Sequence, residues 1–215
     1  MTTQQKIAEL TKIAEEIKVF KGLDIAKMAT NAVPGEGNPD TDIMFIGEGP
    51  GQREDLTGRP FVGQAGKLLE KTLSETLGLT RDQVFITNIV KFRPPDNRDP
   101  LDSEIEACRD WLDQQIGIIS PKVIVTLGRF SMAKFIPGVT ISRVHGQSRF
   151  VDFQGQRYMV FPMYHPAAAL RAGDMMQHFI ADFKKLNDLL HPTPVAHSPV
   201  PSVASIASQN QLGLF

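Results

Sequence analysis

The sequence predicts an α/β fold, a three-layer sandwich with a central four-stranded parallel sheet between helices. Two observations lead to this prediction. Four short apolar runs have the length and composition of buried strands, and helical segments separate them along the chain. Strands that alternate with helices form a parallel sheet with helices on both faces. The predicted strands are residues 42–46, 84–90, 122–127 and 157–162.

The helical segments are predicted from apolar residues that recur at helical spacing on one face. Gly78 follows one of these segments and is suited to end it, because glycine readily adopts the left-handed conformation. Ser103 and Glu106 have the spacing of a capping box at the start of another helix. The predicted helices are residues 3–19, residues 65–77, a helix that starts near Asp102, and about 174–190.

Composition limits the classes of function. The chain has 215 residues and a formal net charge of -1, so bulk positive charge does not bind it to nucleic acid. Its single cysteine, Cys108, excludes an intrachain disulfide. The N-terminus is polar, which argues against a signal peptide, and no apolar run approaches the roughly 20 residues that span a bilayer. We expect a soluble, cytoplasmic, monomeric protein.

The chain changes character at about residue 190. Residues 1–190 are predicted to form one domain. Residues 191–215 are rich in Pro, Ser and Ala and contain no Lys, Arg, Asp or Glu. This composition is typical of a flexible linker.

Three unusual segments follow predicted strands. GEGPG follows the first strand, residues 88–98 follow the second, and YHPAAALR follows the fourth. In α/β sheets of this kind, ligands bind beyond the carboxyl ends of the strands. Because the three segments fall on the same edge of the sheet, the sequence predicts a single site there.

The first of these segments offers a carboxylate, backbone donors and an aromatic ring. Glu48 lies at the strand tip, where it can orient a water molecule. The backbone from Gly49 to Gln52 is open to a ligand because glycine has no Cβ. Phe61, in a loop rich in glycine and proline, is suited to stack on a base. The alternatives are a solvated glutamate in a tight turn and a phenylalanine that closes the loop onto the core.

Asn88 and His165 follow two other strands. The amide of Asn88 offers an acceptor and two donors, which suit the O4 and N3–H groups of uracil. His165 precedes a proline and is placed to donate a hydrogen bond to negative charge on a leaving base. Each also has a structural alternative, since asparagine is a common turn residue and a loop histidine often bonds to backbone.

Four further residues are candidates for contact with DNA. Arg93 and Arg98 are suited to bind phosphates, although both are also compatible with ordinary surface charges. Leu170 and Arg171 form a candidate wedge, or simply the start of the last helix. No metal site is predicted, because the five histidines show no metal-ligand spacing and one cysteine cannot build a zinc or iron–sulfur site.

Taken in order, these segments resemble those of family-4 uracil-DNA glycosylases. The resemblance covers about residues 30–190 and implies the same four-stranded parallel sheet. It also implies hydrolysis of the N-glycosidic bond of deoxyuridine in DNA, with no cofactor required. The matching segments are GEGPGQREDLTGRPFVGQAGKLL, TNIVKFRPPDNRDP, EACRDWL, KVIVTLG and YHPAAALR.

The resemblance also implies a role for each candidate residue. The backbone amides of Gly49–Gln52 would bind the departing uracil anion. The remaining roles are water chemistry for Glu48, stacking on the flipped uracil for Phe61, reading of the pyrimidine edge for Asn88, stabilisation of the departing base for His165, and filling of the vacated stack for Leu170 and Arg171.

The sequence departs from this family at the iron–sulfur site. The family usually holds a [4Fe–4S] cluster on four cysteines, and only one of them is retained, as Cys108. Phe20, Leu23 and Phe92 occupy the other three positions. Since such a cluster requires thiolate ligands, we expect no cluster here. The hypothesis is that these three side chains form a small apolar core around Cys108.

The chain ends in QLGLF, which resembles the short peptide by which bacterial proteins bind the replication sliding clamp. Leu212, Leu214 and Phe215 would fill apolar pockets, and Gln211 would fix the register. A linker of about 20 residues spans roughly 25 Å as a random coil, which is enough to tether the domain. The alternative is an apolar C-terminus that packs back on the domain.

Two other functions are compatible with the sequence. One is a non-catalytic DNA-binding or clamp-associated accessory protein with a degenerate site. The other is a glycosylase of the same fold that removes a different deaminated base, such as hypoxanthine or xanthine. Glu48, Phe61, Asn88 and His165 argue against the first, and Asn88 favours uracil over the second.

Overall fold

The structure, a computed structural model, describes residues 1–191. The predicted clamp-binding peptide at residues 211–215 lies outside the described residues. Within residues 1–191, no helix is long and apolar enough to cross a membrane.

A single mixed sheet forms the middle layer. Its strands are β1 Glu36–Gly37, β2 Ile43–Gly47, β3 Phe85–Asn88, β4 Val123–Leu127, β5 Arg149–Phe153 and β6 Gln156–Met163. They lie in the order β1-β3-β2-β4-β6-β5. The central four run parallel, and β1 and β5 run antiparallel at the edges. The α/β sandwich and all four predicted strands are confirmed.

The two edge strands were not predicted from the sequence. β1 has only two residues, too few to show a pattern. β5 forms a hairpin with β6 through Gln154 and Gly155, which both have positive φ, as the favoured two-residue hairpin turn requires. Because β5 is mostly exposed, it lacks the continuous apolar run of a buried strand.

Helices cover both faces of the sheet. They are α1 Thr3–Val19, α2 Asp24–Met28, α3 Gln52–Thr57, α4 Gln64–Thr72, α5 Asp102–Ile119, α6 Arg129–Phe135, α7 Ile141–Val144, α8 Pro166–Ala169 and α9 Gly173–Leu190. α4 continues as a π-helical turn to Leu77, and Gly78 then ends it in the left-handed conformation, as predicted.

Two apolar cores lie on the two faces of the sheet. α1, α2, α5 and α6 pack on one face, and α4 and α9 pack on the other. Along β2, Met44 and Ile46 belong to the first core, whereas Ile43 and Phe45 belong to the second. This alternation follows from the two-residue period of a strand. It explains why a strand buried on both faces has an apolar run without alternation.

The predicted capping box at the start of α5 is wrong. The helix begins at Asp102, so Ser103 lies inside its first turn. The carboxylate of Glu104 instead accepts a hydrogen bond from the backbone N–H of Leu101 at 2.8 Å. Because the helix begins at Asp102, Glu104 and not Glu106 is its third residue and reaches back to the helix start, and Glu104 also binds Arg98 of the preceding loop.

Candidate functional site

The predicted convergence at one edge of the sheet is present in the structure. Gly47 at the end of β2 pairs with Asn88 at the end of β3, and Leu127 at the end of β4 pairs with Met163 of β6. Hydrogen bonds continue past the strands, because the backbone N–H of Val90 donates to the carbonyl of Glu48 at 3.1 Å. The segments that carry the candidate residues therefore leave the sheet side by side.

Asn88 has a buried side-chain amide that lacks hydrogen-bond partners. Its Oδ1 and Nδ2 are both enclosed, and neither bonds to any part of the chain that the structure describes. Buried polar atoms are nearly always paired, so an unpaired donor and acceptor on one side chain require an explanation. A base edge that offers one acceptor and one donor would satisfy both atoms.

Gly47 brings Asn88 and Phe61 together. A Cβ built on Gly47 would lie 2.4 Å from Oδ1 of Asn88 and 2.4 Å from Cζ of Phe61. Both side chains therefore pack directly against the backbone of this glycine. A larger residue would push the amide and the ring away from each other, so this glycine is required by close approach and not by its backbone angles.

Phe61 is buried and has the left-handed backbone conformation, with φ of 51°. Its ring centroid lies 5.7 Å from that of His165. The loop after it is held by Glu54, whose Oε1 accepts hydrogen bonds at 2.8 Å from the backbone N–H groups of Val62 and Gly63. Sequence reasoning missed Glu54, and the only available signal was an acidic residue in a loop otherwise rich in glycine.

His165 is a neutral hydrogen-bond donor. Its Nδ1 accepts a hydrogen bond at 3.1 Å from the backbone N–H of Ala167, at the start of α8. Burial lowers the pKa of His165 to about 4, so the ring is neutral at neutral pH. Since Nδ1 is an acceptor, the ring proton resides on Nε2, which is therefore available to donate.

Glu48 lies between charges of opposite sign. Burial and the nearby carboxylate of Asp99 raise the pKa of the Glu48 carboxyl, and the cation of Arg129 opposes this rise. Arg129 and Asp99 also form an ion pair with each other. Neither residue was singled out from the sequence, because Asp99 lies in a loop and Arg129 begins α6, and both come near Glu48 only in the folded chain.

The end of β3 is held from the core by Lys91. Its ammonium group is fully buried and donates hydrogen bonds to Oγ1 of Thr87, the carbonyl of Asn88 and Oε1 of Gln115, at 2.7, 2.8 and 2.9 Å. Burial lowers the pKa of Lys91 to about 7. This network fixes the backbone that carries the Asn88 amide, and the sequence did not indicate it.

The four residues predicted to contact DNA differ in the hydrogen bonds and the exposure of their side chains. Arg98 forms two hydrogen bonds with Glu104, at 2.9 and 2.6 Å, which tie its loop to α5. Arg93 donates from Nε to the side chain of Asn97 at 2.8 Å. Leu170 is 48% exposed, and Arg171 beside it is also exposed. All four remain predictions, and the last pair has the exposure that contact with DNA requires.

The residues at the expected iron–sulfur positions form an apolar cluster. Phe20, Leu23 and Phe92 belong to the same core as the fully buried Cys108. The ring centroid of Phe20 lies 6.0 Å from that of Phe92 and 5.0 Å from that of Trp111. Burial raises the pKa of the Cys108 thiol, which disfavours the thiolate.

These side chains do not fit an iron–sulfur cluster. Three of the four positions carry carbon groups that cannot bind iron, and the fourth is a single buried thiol. Across residues 1–191, no three His, Cys, Asp or Glu side chains are grouped so as to hold a metal ion.

The chain is similar in sequence to known proteins. The family model of the uracil DNA glycosylase superfamily matches residues 34–191. A type-4 uracil-DNA glycosylase of Sulfurisphaera tokodaii is 51% identical over 185 residues, 84% of each chain. One of Thermotoga maritima is 41% identical over 88% of this chain and 98% of its own. A type-5 uracil-DNA glycosylase of Thermus thermophilus is 32% identical over 46% of this chain and 52% of its own.

Proposed function

The chain belongs to the uracil DNA glycosylase superfamily, and on this basis we propose that it hydrolyses the N-glycosidic bond of deoxyuridine in DNA. The reaction releases uracil and leaves an abasic site, the first step of base excision repair. The observation that carries the proposal is the buried, unpaired amide of Asn88. Uracil offers O4 as an acceptor and N3–H as a donor, which match Nδ2 and Oδ1 of that amide.

Binding requires the target nucleotide to leave the DNA stack, which costs a few kcal/mol and costs less at a mismatch. Phe61 offsets part of this cost by stacking on the base, because aromatic stacking contributes about 1–3 kcal/mol per base. Leu170 and Arg171 occupy the space that the base leaves. A fixed Asn88 amide discriminates against cytosine, whose edge presents an amino donor where uracil has a carbonyl.

Bond cleavage places negative charge on uracil and oxocarbenium character on the sugar. The neutral His165 ring donates from Nε2 to the departing base, and the backbone N–H groups of Gly49, Gly51 and Gln52 supply further donors. Donors that are already in place stabilise such charge without reorganisation. Glu48, whose pKa is raised by burial, positions the attacking water.

A uracil-containing oligonucleotide tests the proposal. We expect the protein to generate alkali-labile sites at uracil, and Asn88→Ala and His165→Ala to cut more slowly. The matched control is Lys122→Ala, because Lys122 is exposed at the amino end of β4, away from the site, and its ammonium group binds Asp42 alone among residues 1–191. If wild-type protein fails to cut U·G, U·A and single-stranded substrates, the chain is instead a DNA-binding accessory protein.

The choice of base needs a separate panel. Asn88 is expected to favour uracil over hypoxanthine and xanthine, because the purines present a different edge and a larger ring system. Oligonucleotides that carry each base at the same position, compared under single-turnover conditions, measure this preference. Faster release of a purine than of uracil would contradict the assigned role of Asn88.

We also propose that residues 211–215 bind the replication sliding clamp. Support comes from the sequence alone: an apolar QLGLF peptide at the end of a charge-free segment. The test compares binding of the full chain to the clamp with that of a chain lacking residues 211–215. Equal binding by the two would refute the idea. Monomeric state and cytoplasmic location likewise remain predictions.

A further inference from the structure

We propose that Arg81 is a positioning residue for base excision, one that holds the backbone of Phe61 so that its ring is presented to the flipped base. The inference rests on the proposed function and adds to it a residue outside the assigned site. Arg81 lies in a short 3-10 turn, Arg81–Gln83, that precedes β3. No part of this turn belongs to the segments that follow the strands.

Arg81 binds the two carbonyl groups at Phe61. Its Nη2 donates to the carbonyl of Pro60 at 2.6 Å, and its Nη1 donates to the carbonyl of Phe61 at 3.0 Å. Its Nε donates to Oε1 of Glu36 at 2.9 Å, and the side chain is only 15% exposed. A planar guanidinium can make these three bonds together, whereas the single ammonium of lysine lacks this fixed fork.

Phe61 needs such support because its own conformation is unfavourable. A non-glycine residue with φ of 51° is uncommon and is retained only where its surroundings hold it. Arg81 binds the carbonyls on one side of this residue, and Glu54 binds the N–H groups of Val62 and Gly63 on the other. Gly66 closes the turn, since a Cβ there would lie 1.9 Å from the carbonyl oxygen of Phe61.

Loss of the hydrogen bonds from Arg81 to the carbonyls of Pro60 and Phe61 allows the backbone of Phe61 to relax toward negative φ. The ring would then leave its place beside Asn88 and His165, and stacking would weaken. We expect Arg81→Gln to lower the single-turnover rate on uracil DNA roughly tenfold, a part of what stacking contributes. Inhibition by free uracil should weaken in parallel, because it depends on the same ring.

Arg59→Gln is the matched control. Arg59 binds both oxygens of the same Glu36 carboxylate, with Nε donating to Oε2 at 2.8 Å and Nη2 donating to Oε1 at 2.9 Å, and is 56% exposed. It makes no bond to the carbonyls of Pro60 or Phe61 among the described residues. Its loss therefore disturbs the same ion-pair network without releasing the loop, and we expect rate and uracil inhibition to stay close to wild type.

A double-mutant cycle separates positioning from general support of the fold. If Arg81 acts through the ring, Arg81→Gln slows wild-type protein but has no further effect in a Phe61→Ala background. Equal slowing in both backgrounds would overturn the proposal. Arg81→Lys retains the charge and serves as a second variant if Arg81→Gln fails to fold. It should also slow cleavage in the wild-type background and have no further effect in the Phe61→Ala background. An inactive wild type would overturn the proposed function itself, which distinguishes the two failures.

Discussion

Replacement of Asn88 by leucine should separate base recognition from stability. The two side chains branch at the same atom and have similar outlines, but leucine has no polar group. A buried polar group without a partner costs about 1–3 kcal/mol, and the Asn88 amide carries two such atoms. Removal of this cost stabilises the fold, but the larger methyl groups of leucine offset part of the stabilisation, because the site is closely packed around Phe61.

We therefore expect Asn88→Leu to raise the free energy of unfolding by about 1–3 kcal/mol. For a chain of this size, each kcal/mol corresponds to roughly 2–4 °C in Tm. Cleavage of uracil DNA should fall roughly 10²–10³-fold, as when one preorganised donor is removed from an active site. Urea unfolding followed by circular dichroism and single-turnover cleavage measure the two effects on the same preparation.

Thr126→Val is the matched control for the stability argument. Oγ1 of Thr126 is also buried without a partner among the residues described, but the side chain lies within β4 and has no assigned role. The free energy of unfolding of this variant should rise by about 1 kcal/mol, and its cleavage activity should stay at the wild-type level. If Thr126→Val is stabilised while Asn88→Leu is not, the Asn88 amide is already satisfied in the free protein and the recognition argument fails.

Three further predictions follow from the site and the core. His165 is neutral above about pH 4, so cleavage should not lose rate through this group between about pH 5 and 8. The pKa of this group in the unfolded chain is near 6.5, so the free energy of unfolding should rise between about pH 4 and 6.5 in wild type and rise less in His165→Asn. A cleavage rate that depends on His165 and changes with a midpoint near pH 6.5 would contradict the neutral state assigned to this ring. Gly47→Ala should abolish most cleavage, because its Cβ would lie 2.4 Å from Asn88 and Phe61. Gly117→Ala should be tolerated, because its Cβ would meet no atom of the described residues within 4 Å. Phe92→Ala should lower the free energy of unfolding, measured in urea, by about 3–5 kcal/mol. Stoichiometric iron in anaerobically purified wild-type protein would contradict the hypothesis of an apolar core.

The strand-end residues were found from sequence because their position is a local property. A buried strand has a recognisable apolar run, and the residue after it lies at a known edge of the sheet. Glu48, Asn88 and His165 could therefore be assigned to one site before any contact was known. The iron–sulfur departure was also visible, because the identities of Phe20 and Phe92 are sufficient to exclude ligation.

The supporting residues could not be found in this way. Arg81 binds carbonyl groups twenty residues away in the sequence, and Gln115 joins Pro34 across 81 residues. Glu54 and Lys91 lie within segments that match the family, but nothing in the sequence marks their roles, which come from the atoms that folding places beside them. The capping box failed for a local reason, since the helix begins at Asp102 and its third residue is therefore Glu104, not Glu106.

The sequence by itself determined the four central strands, the longer helices and the edge of the sheet to which Glu48, Asn88 and His165 belong, because these depend on local apolar periodicity and chain order. Only the tertiary structure decided that the Asn88 amide is unpaired, that His165 is neutral with its proton on Nε2, and that Phe61 is held at positive φ. These properties depend on desolvation and hydrogen bonds between distant segments, which no local pattern records.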